Sequence, residues 1–203
     1  MKIVEPSISI EDDVDGEKML QAIERAGRTC WKSEANITPD SSRAFVKKII
    51  ANGHESVLEH EKVTTRIICD RGVSHELVRH RIASYSQEST RYCDYAKAEE
   101  IQVIEPPGMS AAQRSWWLSA MIQCEIAYNG MRRDKASPQI ARSVLPNSLK
   151  TEVVMTANLR EWRHFFKLRA APAAHPQMRQ IAHMLLAEFR RLIPVVFDEF
   201  VCA

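Results

Sequence analysis

Three bases stand side by side at Arg79-His80-Arg81, and Arg91 follows them closely. Hydroxyl residues fill the space between: Ser84, Tyr85, Ser86 and Ser89, with Thr90 after them, and Glu88 is the one acid from 79 to 92. Arginine offers a planar fork of donors that matches phosphate and carboxylate, so this stretch has the chemistry of an anion site. The plainer reading is a solvated basic face. Against it, Leu77, Val78, Ile82 and Ala83 interrupt the charges and would hold this backbone against a core, turning part of the arginines toward a cleft. Cys93 adjoins the stretch as a possible nucleophile, and Ser89 within it could attack or donate a hydrogen bond, the second being preferred because nothing beside Ser89 is an evident base.

A second polar group is His54-Glu55-Ser56-Val57-Leu58-Glu59-His60. Its spacing is not H-E-x-x-H and puts no two ligands at i and i+4, so no metal site is expected. Its plain reading is a loop that satisfies helix ends. More bases come later, at Arg142, Arg160, Arg163, His164 and Arg169.

A chain of 203 residues with 45% hydrophobic and 27% charged residues has an ordinary globular composition, and a single domain over residues 1–203 is expected. The net charge of +2 is too small to argue for nucleic acid by itself. The cysteines at 30, 69, 93, 124 and 202 are odd in number and form no C-x-x-C pair, which suits a reducing cytoplasm and not a disulfide framework. No apolar leader opens the sequence, and no run approaches the roughly 18 apolar residues of a membrane span. The glycines are too scattered for a G-x-G-x-x-G or a P-loop, so a bound dinucleotide must be held by side chains and helix N-termini.

These residues need elements to position them. Short strands are expected at 2–5 and 7–10, and helices at 17–26 and 43–51, with Ser42 as a cap and Asn52-Gly53 as the stop. Val63, Thr65, Ile67 and Cys69 alternate with Lys62, Thr64, Arg66 and Ile68, the pattern of a half-buried strand. Asp70 or Ser74 caps a helix carrying Glu76 to Arg81, and the chain runs into a loop at about Ser84. A strand at 101–104 precedes a long helix over 109–133, whose Trp116 and Trp117 are assigned to the core. A short helix at 137–144 carries Arg142, and a strand at 151–156 follows. Asn158 and Glu161 form a capping box for a helix whose apolar stripe is Leu159, Trp162, Phe165 and Phe166. Arg160, Arg163, His164 and Arg169 fall off that stripe, and a last helix runs from Pro176 to Pro194.

Four blocks of this sequence carry a resemblance. Arg79-His80-Arg81, seven residues and Ser89 match the RHR-x7-S signature of the flavin-dependent thymidylate synthases. The segment from Gly53 to His60 matches the family's G-H-x-S/T-x-x-E-H, Ala141 to Pro146 matches a third block, and Asn158, Arg160 and Leu168-Arg169 match a fourth. The order is the family's, across roughly half the chain. Gln87 stands where the family often has Glu, Glu76 where it often has Gln, and 170–177 carries a one-residue insertion.

The resemblance implies an α+β fold, with long helices packed beside a small twisted antiparallel sheet and no Rossmann unit. It implies an enzyme that methylates dUMP to dTMP with 5,10-methylenetetrahydrofolate, using FAD reduced by NADPH, and a cytoplasmic homotetramer with shared active sites. FAD contacts are implied at Ser56, Arg79, His80, Arg81, Gln87, Asn158, Leu159, Arg160 and His164. Substrate contacts are implied at Glu76, Leu77, Val78, Arg79, Gln87, Glu88, Ser89, Thr90, Arg91, Arg142 and Arg169. The resemblance implies that Arg169 stabilises negative charge on the pyrimidine, an oxyanion-hole type of role, and Ser89 is expected to donate a hydrogen bond in preference to attacking. No nucleic-acid or membrane partner is implied. The alternative of another class is a non-catalytic phosphate or nucleic-acid module that grips phosphates with Arg79–Arg91.

Overall fold

A computed structural model describes residues 1–97 and 100–200. The strands and helices, in chain order, are β1 (Lys2–Ile3), β2 (Ser7–Ile10), α1 (Gly16–Thr29), α2 (Ser41–Ala51), β3 (Lys62–Asp70), α3 (Arg71–Leu77), β4 (Ala83–Gln87), β5 (Gln102–Val103), α4 (Ala111–Arg133), α5 (Pro138–Ala141), β6 (Lys150–Asn158), α6 (Leu159–Arg169) and α7 (Pro176–Leu192). A four-stranded sheet has the order β2-β3-β6-β4, and β1 pairs in parallel with β5, Lys2 opposite Gln102. β3 and β6 are antiparallel: Leu159 N donates to Glu61 O at 2.9 Å, and the Thr64 and Thr156 hydroxyls meet at 3.0 Å. This is the α+β class that the resemblance implies.

The chain gathers into two compact units. One comprises Met1–Ser7, Ile67–Arg79 and Ser86–Val153; the other comprises Ile8–Arg66, His80–Tyr85 and Val154–Ala203. The first unit has a core of Ile101, Val103, Met121, Tyr128, Ala141 and Leu149. In the second, the stripe of α6 works as its spacing predicts. Trp162, Phe165 and Phe166 are fully buried, with ring centroids 5.4 and 5.9 Å from Trp162, and Phe189 of α7 packs at 4.9 Å. The indole N–H of Trp162 donates to Val63 O at 3.0 Å, which ties α6 to β3.

Several expectations are corrected. α3 ends at Leu77, so Arg79-His80-Arg81 lies in a turn, and Ser84 begins no loop, because 83–87 is strand β4. The alternation that marks β4, with Ala83, Tyr85 and Gln87 less exposed than Ser84 and Ser86, is masked by the hydroxyl content of the run. Trp116 is no core residue: it is 79% exposed on α4. Trp117 is half-buried and donates its indole N–H to Ser148 Oγ at 3.0 Å. α2 begins at Ser41, so Ser42 is inside the helix and not its cap. The segment 55–60 is a 3-10 helix, and Gly53 before it takes φ +71° as expected of a helix stop. Cys202 lies outside the described residues.

Candidate active site

The turn after α3 is placed by a cap. Asp70 Oδ1 accepts from Val73 N at 2.7 Å, which starts α3, and the helix stops about two turns later at Leu77. Arg79 N then donates to Glu76 O at 3.2 Å, and the chain continues into the second unit at His80.

His80 is buried, 4% exposed, in the second unit. Its Nδ1 lies 2.9 Å from Glu161 Oε1, and Arg169 Nε donates to its Nε2 at 3.1 Å. An arginine Nε always carries hydrogen, so His80 Nε2 must be the acceptor, and the ring proton sits on Nδ1 and points at Glu161. The ring is boxed by Phe165 and His164, centroids at 5.1 and 5.6 Å, and its backbone carbonyl accepts from Tyr85 OH at 2.8 Å. Burial holds the imidazole pKa below its ordinary value, against the opposing pull of the Glu161 bond, and the Arg169 charge lowers it further. The Tyr85 phenol is pushed up to about 12 by burial and by the Glu161 charge.

Those shifts set a stability window. Above pH 6.5, the ordinary histidine value, neither folded nor unfolded chain holds a proton on His80, and the buried neutral ring contributes fully. As pH falls below that value the unfolded chain takes up the proton first, so stability is lost. Urea unfolding at pH 7 and about pH 5 should show a drop in midpoint that is smaller in His80→Gln. An equal drop in both proteins contradicts the neutral assignment.

Glu161 departs from its expected role. Asn158 Oδ1 caps α6 by accepting from Glu161 N at 2.8 Å, but the Glu161 side chain goes to His80 and does not close a capping box. The donor atoms of His80, Glu161 and His164 lie within 4.8 Å of one another, a cluster that the sequence spacing does not reveal. A cation there would have to take His80 from Glu161 or Arg169 beside a fixed guanidinium charge. The arrangement therefore suits a hydrogen-bond chain better than a metal site.

Beside this chain of bonds is a cavity of about 530 Å³, lined by Ile82, Asn158, Arg160, His164 and Lys167 together with Glu55, Glu59, Glu161, Arg163, Glu199 and Phe200. Arg160 pairs with Glu59 at 2.5 Å in an exposed contact. Such surface pairs are worth about 0–1 kcal/mol, so a phosphate can displace Glu59. Arg163 behaves differently. It is buried, not solvated off the stripe, and holds Glu55 at 2.9 Å, Glu199 at 2.6 Å and the Val196 carbonyl. Its guanidinium anchors the segment after α7 and is not available to a ligand. Leu159 is fully buried at the start of α6, and Ser56 and Arg81 are exposed, Ser56 in the 3-10 helix at 55–60.

The first unit gathers a separate set. Ser89 Oγ accepts from Arg91 N at 3.3 Å and Ser89 O accepts from Tyr92 N at 3.1 Å, which makes a tight turn after β4. Thr90 is buried in that turn and accepts from Arg142 Nη1 at 3.3 Å, bringing two separated sequence blocks together. Arg91 is exposed, with its guanidinium over the Tyr92 ring at 5.5 Å. Gln87 is oriented by donating to Ser74 Oγ at 2.9 Å and Thr151 Oγ1 at 3.2 Å. Glu88 accepts from Tyr95 OH at 2.8 Å and from Lys150 Nζ at 2.9 Å, partners with no sequence signal because Lys150 is far along the chain. The Tyr95 phenol is held well above its ordinary range by burial and by the Glu88 bond. Glu76 is half-buried, Leu77 fully buried, and Val78 and Arg79 are exposed. Among the described residues, the hydrogen bond seen at the Ser89 hydroxyl comes from the Arg91 backbone amide.

The family model described as "Thymidylate synthase complementing protein" matches residues 14–195. A flavin-dependent thymidylate synthase of Mycobacterium tuberculosis (strain ATCC 25618 / H37Rv) is 34% identical over 215 residues, covering 96% of this chain and 84% of that protein. One of Mycobacterium sp. (strain JLS) is 35% identical over 221 residues, covering 97% and 85%. Among solved structures, the UMP/dUMP methylase PolB from Streptomyces cacaoi, bound with 5-Br dUMP, superposes with a TM-score of 0.82 at 21% identity, over 98% of this chain and 96% of that one. At that identity the likeness speaks for the fold.

Proposed function

The chain belongs to the flavin-dependent thymidylate synthase family, and from that premise we propose that it methylates dUMP to dTMP, with 5,10-methylenetetrahydrofolate as carbon donor and FAD reduced by NADPH. The observation that carries this reading is Arg169, a cation whose side chain is held in one orientation by the buried, neutral His80.

The residues present fit a flavin nucleotide. Asn158, Arg160, His164 and Lys167 line one cavity, and Arg160 pairs there with the exposed carboxylate of Glu59, which a pyrophosphate can replace. FAD, when bound, supplies the hydride that completes the methyl group. The protein does the rest by binding and polarising. Arg91 and Arg142, with the hydroxyls of Ser89 and Thr90 in the same turn, suit the phosphate of dUMP. Arg169 favours negative charge on the pyrimidine, which makes carbon 5 nucleophilic without a covalent adduct to cysteine. Cys93 is exposed and takes no part in this reading. The methylase of similar fold was solved with a brominated dUMP, which agrees with dUMP as substrate.

Purified protein reconstituted with FAD should be yellow, and it should oxidise NADPH faster when dUMP is added. A colourless protein that takes up no flavin overturns the proposal.

The reading extends to assembly. α4 carries Trp116, Ile122 and Ile126 exposed, at 79%, 45% and 54%. Apolar surface of this kind on one helix suits a subunit contact of the homotetramer, in which neighbouring subunits share their sites. Trp116→Asp should give a smaller particle in sedimentation velocity, with loss of dTMP formation. A monomeric variant that keeps full activity contradicts shared sites. No helix among the described residues is long and apolar enough to cross a membrane.

A further inference from the structure

We propose that Glu161 is a positioning residue: acting through His80, it fixes the guanidinium plane of Arg169 in the orientation that the pyrimidine chemistry needs. This rests on the reading that Arg169 serves the pyrimidine. Two observations carry it.

Glu161 is buried at 6% exposure, where a carboxylate is unfavourable unless it is bonded. Its position at the start of α6 has an obvious job, closing a capping box, and the side chain does not do it, since Asn158 caps alone. Its bond goes to His80 instead, at 2.9 Å.

The direction of the bonds is forced. Arg169 Nε donates, His80 Nε2 accepts at 3.1 Å, His80 Nδ1–H donates and Glu161 accepts. The opposite tautomer would set an N–H against an N–H at Arg169. The groups facing His80 are Glu161, His164 and Arg169 from α6 and Tyr85 from β4, and Glu161 is the carboxylate among them. Its carboxylate holds the Nδ1 proton and with it the plane of the ring that accepts from Arg169.

The test is a double-mutant cycle on the FAD-loaded enzyme, using Glu161→Gln, Arg169→Lys and the pair. Single-turnover dTMP formation and flavin content are measured in each. Glu161→Gln should slow dTMP formation per bound flavin about tenfold, the effect of one charge-assisted hydrogen bond. In the Arg169→Lys background the same change should add less than about twofold, because contacting residues that act as one unit are not additive. A full tenfold further loss overturns the relay while leaving Arg169 at the pyrimidine. Unchanged activity in Arg169→Lys overturns the underlying reading, and the relay with it. Should Glu161→Gln not fold, nitrogen-15 NMR of histidine-labelled wild type decides. An Nδ1–H neutral tautomer at His80 at pH 7 supports the proposal; an Nε2–H tautomer or an imidazolium overturns it.

Discussion

Arg169→Lys should form dTMP about ten- to a hundredfold more slowly than wild type, while retaining its flavin. Lysine keeps the positive charge but has no Nε at the position that donates to His80, so it leaves the imidazole acceptor at 3.1 Å without its partner. It also lacks the planar fork that can face a pyrimidine edge. Each lost charge-assisted bond is worth roughly 1.5–3 kcal/mol. Where the interaction strengthens as negative charge develops on the ring, the whole loss falls on the chemical step. Flavin content should hold because the cavity groups at Asn158, Arg160, His164 and Lys167 are untouched. Arg79→Lys should differ, with weaker flavin retention and weaker dUMP binding together. Flavin absorbance and single-turnover product formation measure both variants. Loss of flavin from Arg169→Lys, or full product formation in it, removes Arg169 from the pyrimidine.

Trp162→Ala should destabilise the fold by about 3–5 kcal/mol, the range for deleting a large buried aromatic. Trp162 is fully buried, touches Phe165, Phe166 and Phe189, and holds β3 through Val63 O. Its removal opens a cavity and leaves that carbonyl without its donor. For a chain of this length the thermal midpoint should fall by roughly 6–20 °C. Activity should fail at lower temperature for the same reason, since Glu161, His164 and Arg169 ride on α6 with Trp162. A midpoint within about 2 °C of wild type would show that this aromatic cluster does not hold α6.

What the sequence makes legible is whatever repeats at a fixed period or matches a long mixed motif. β3 was readable because Val63, Thr65, Ile67 and Cys69 are all buried and alternate with exposed or half-exposed neighbours. The stripe of α6 was readable for the same reason, and Asp70 as a cap follows from residue type. Arg163 was not readable as buried. Its partners Glu55 and Glu199 are 108 and 36 residues away, and no periodicity announces a long-range ion pair. Glu161 was hidden because a carboxylate three residues after Asn158 suits a capping box as well as a relay, and only the fold shows which way it turns. Trp116 was misplaced because aromatic residues on a helix suit a core and a subunit contact equally. Of the groups proposed for the nucleotides, Thr90 with Arg142 and His80 with Arg169 come together within their units.

The most direct measurement is product analysis in one turnover. FAD-loaded protein is mixed with NADPH, 5,10-methylenetetrahydrofolate and dUMP without oxygen, and the nucleotides are separated by chromatography. dTMP should appear in an amount matching the bound flavin and should be absent when the folate is left out. NADPH consumption with dUMP recovered unchanged would contradict thymidylate synthesis by this chain.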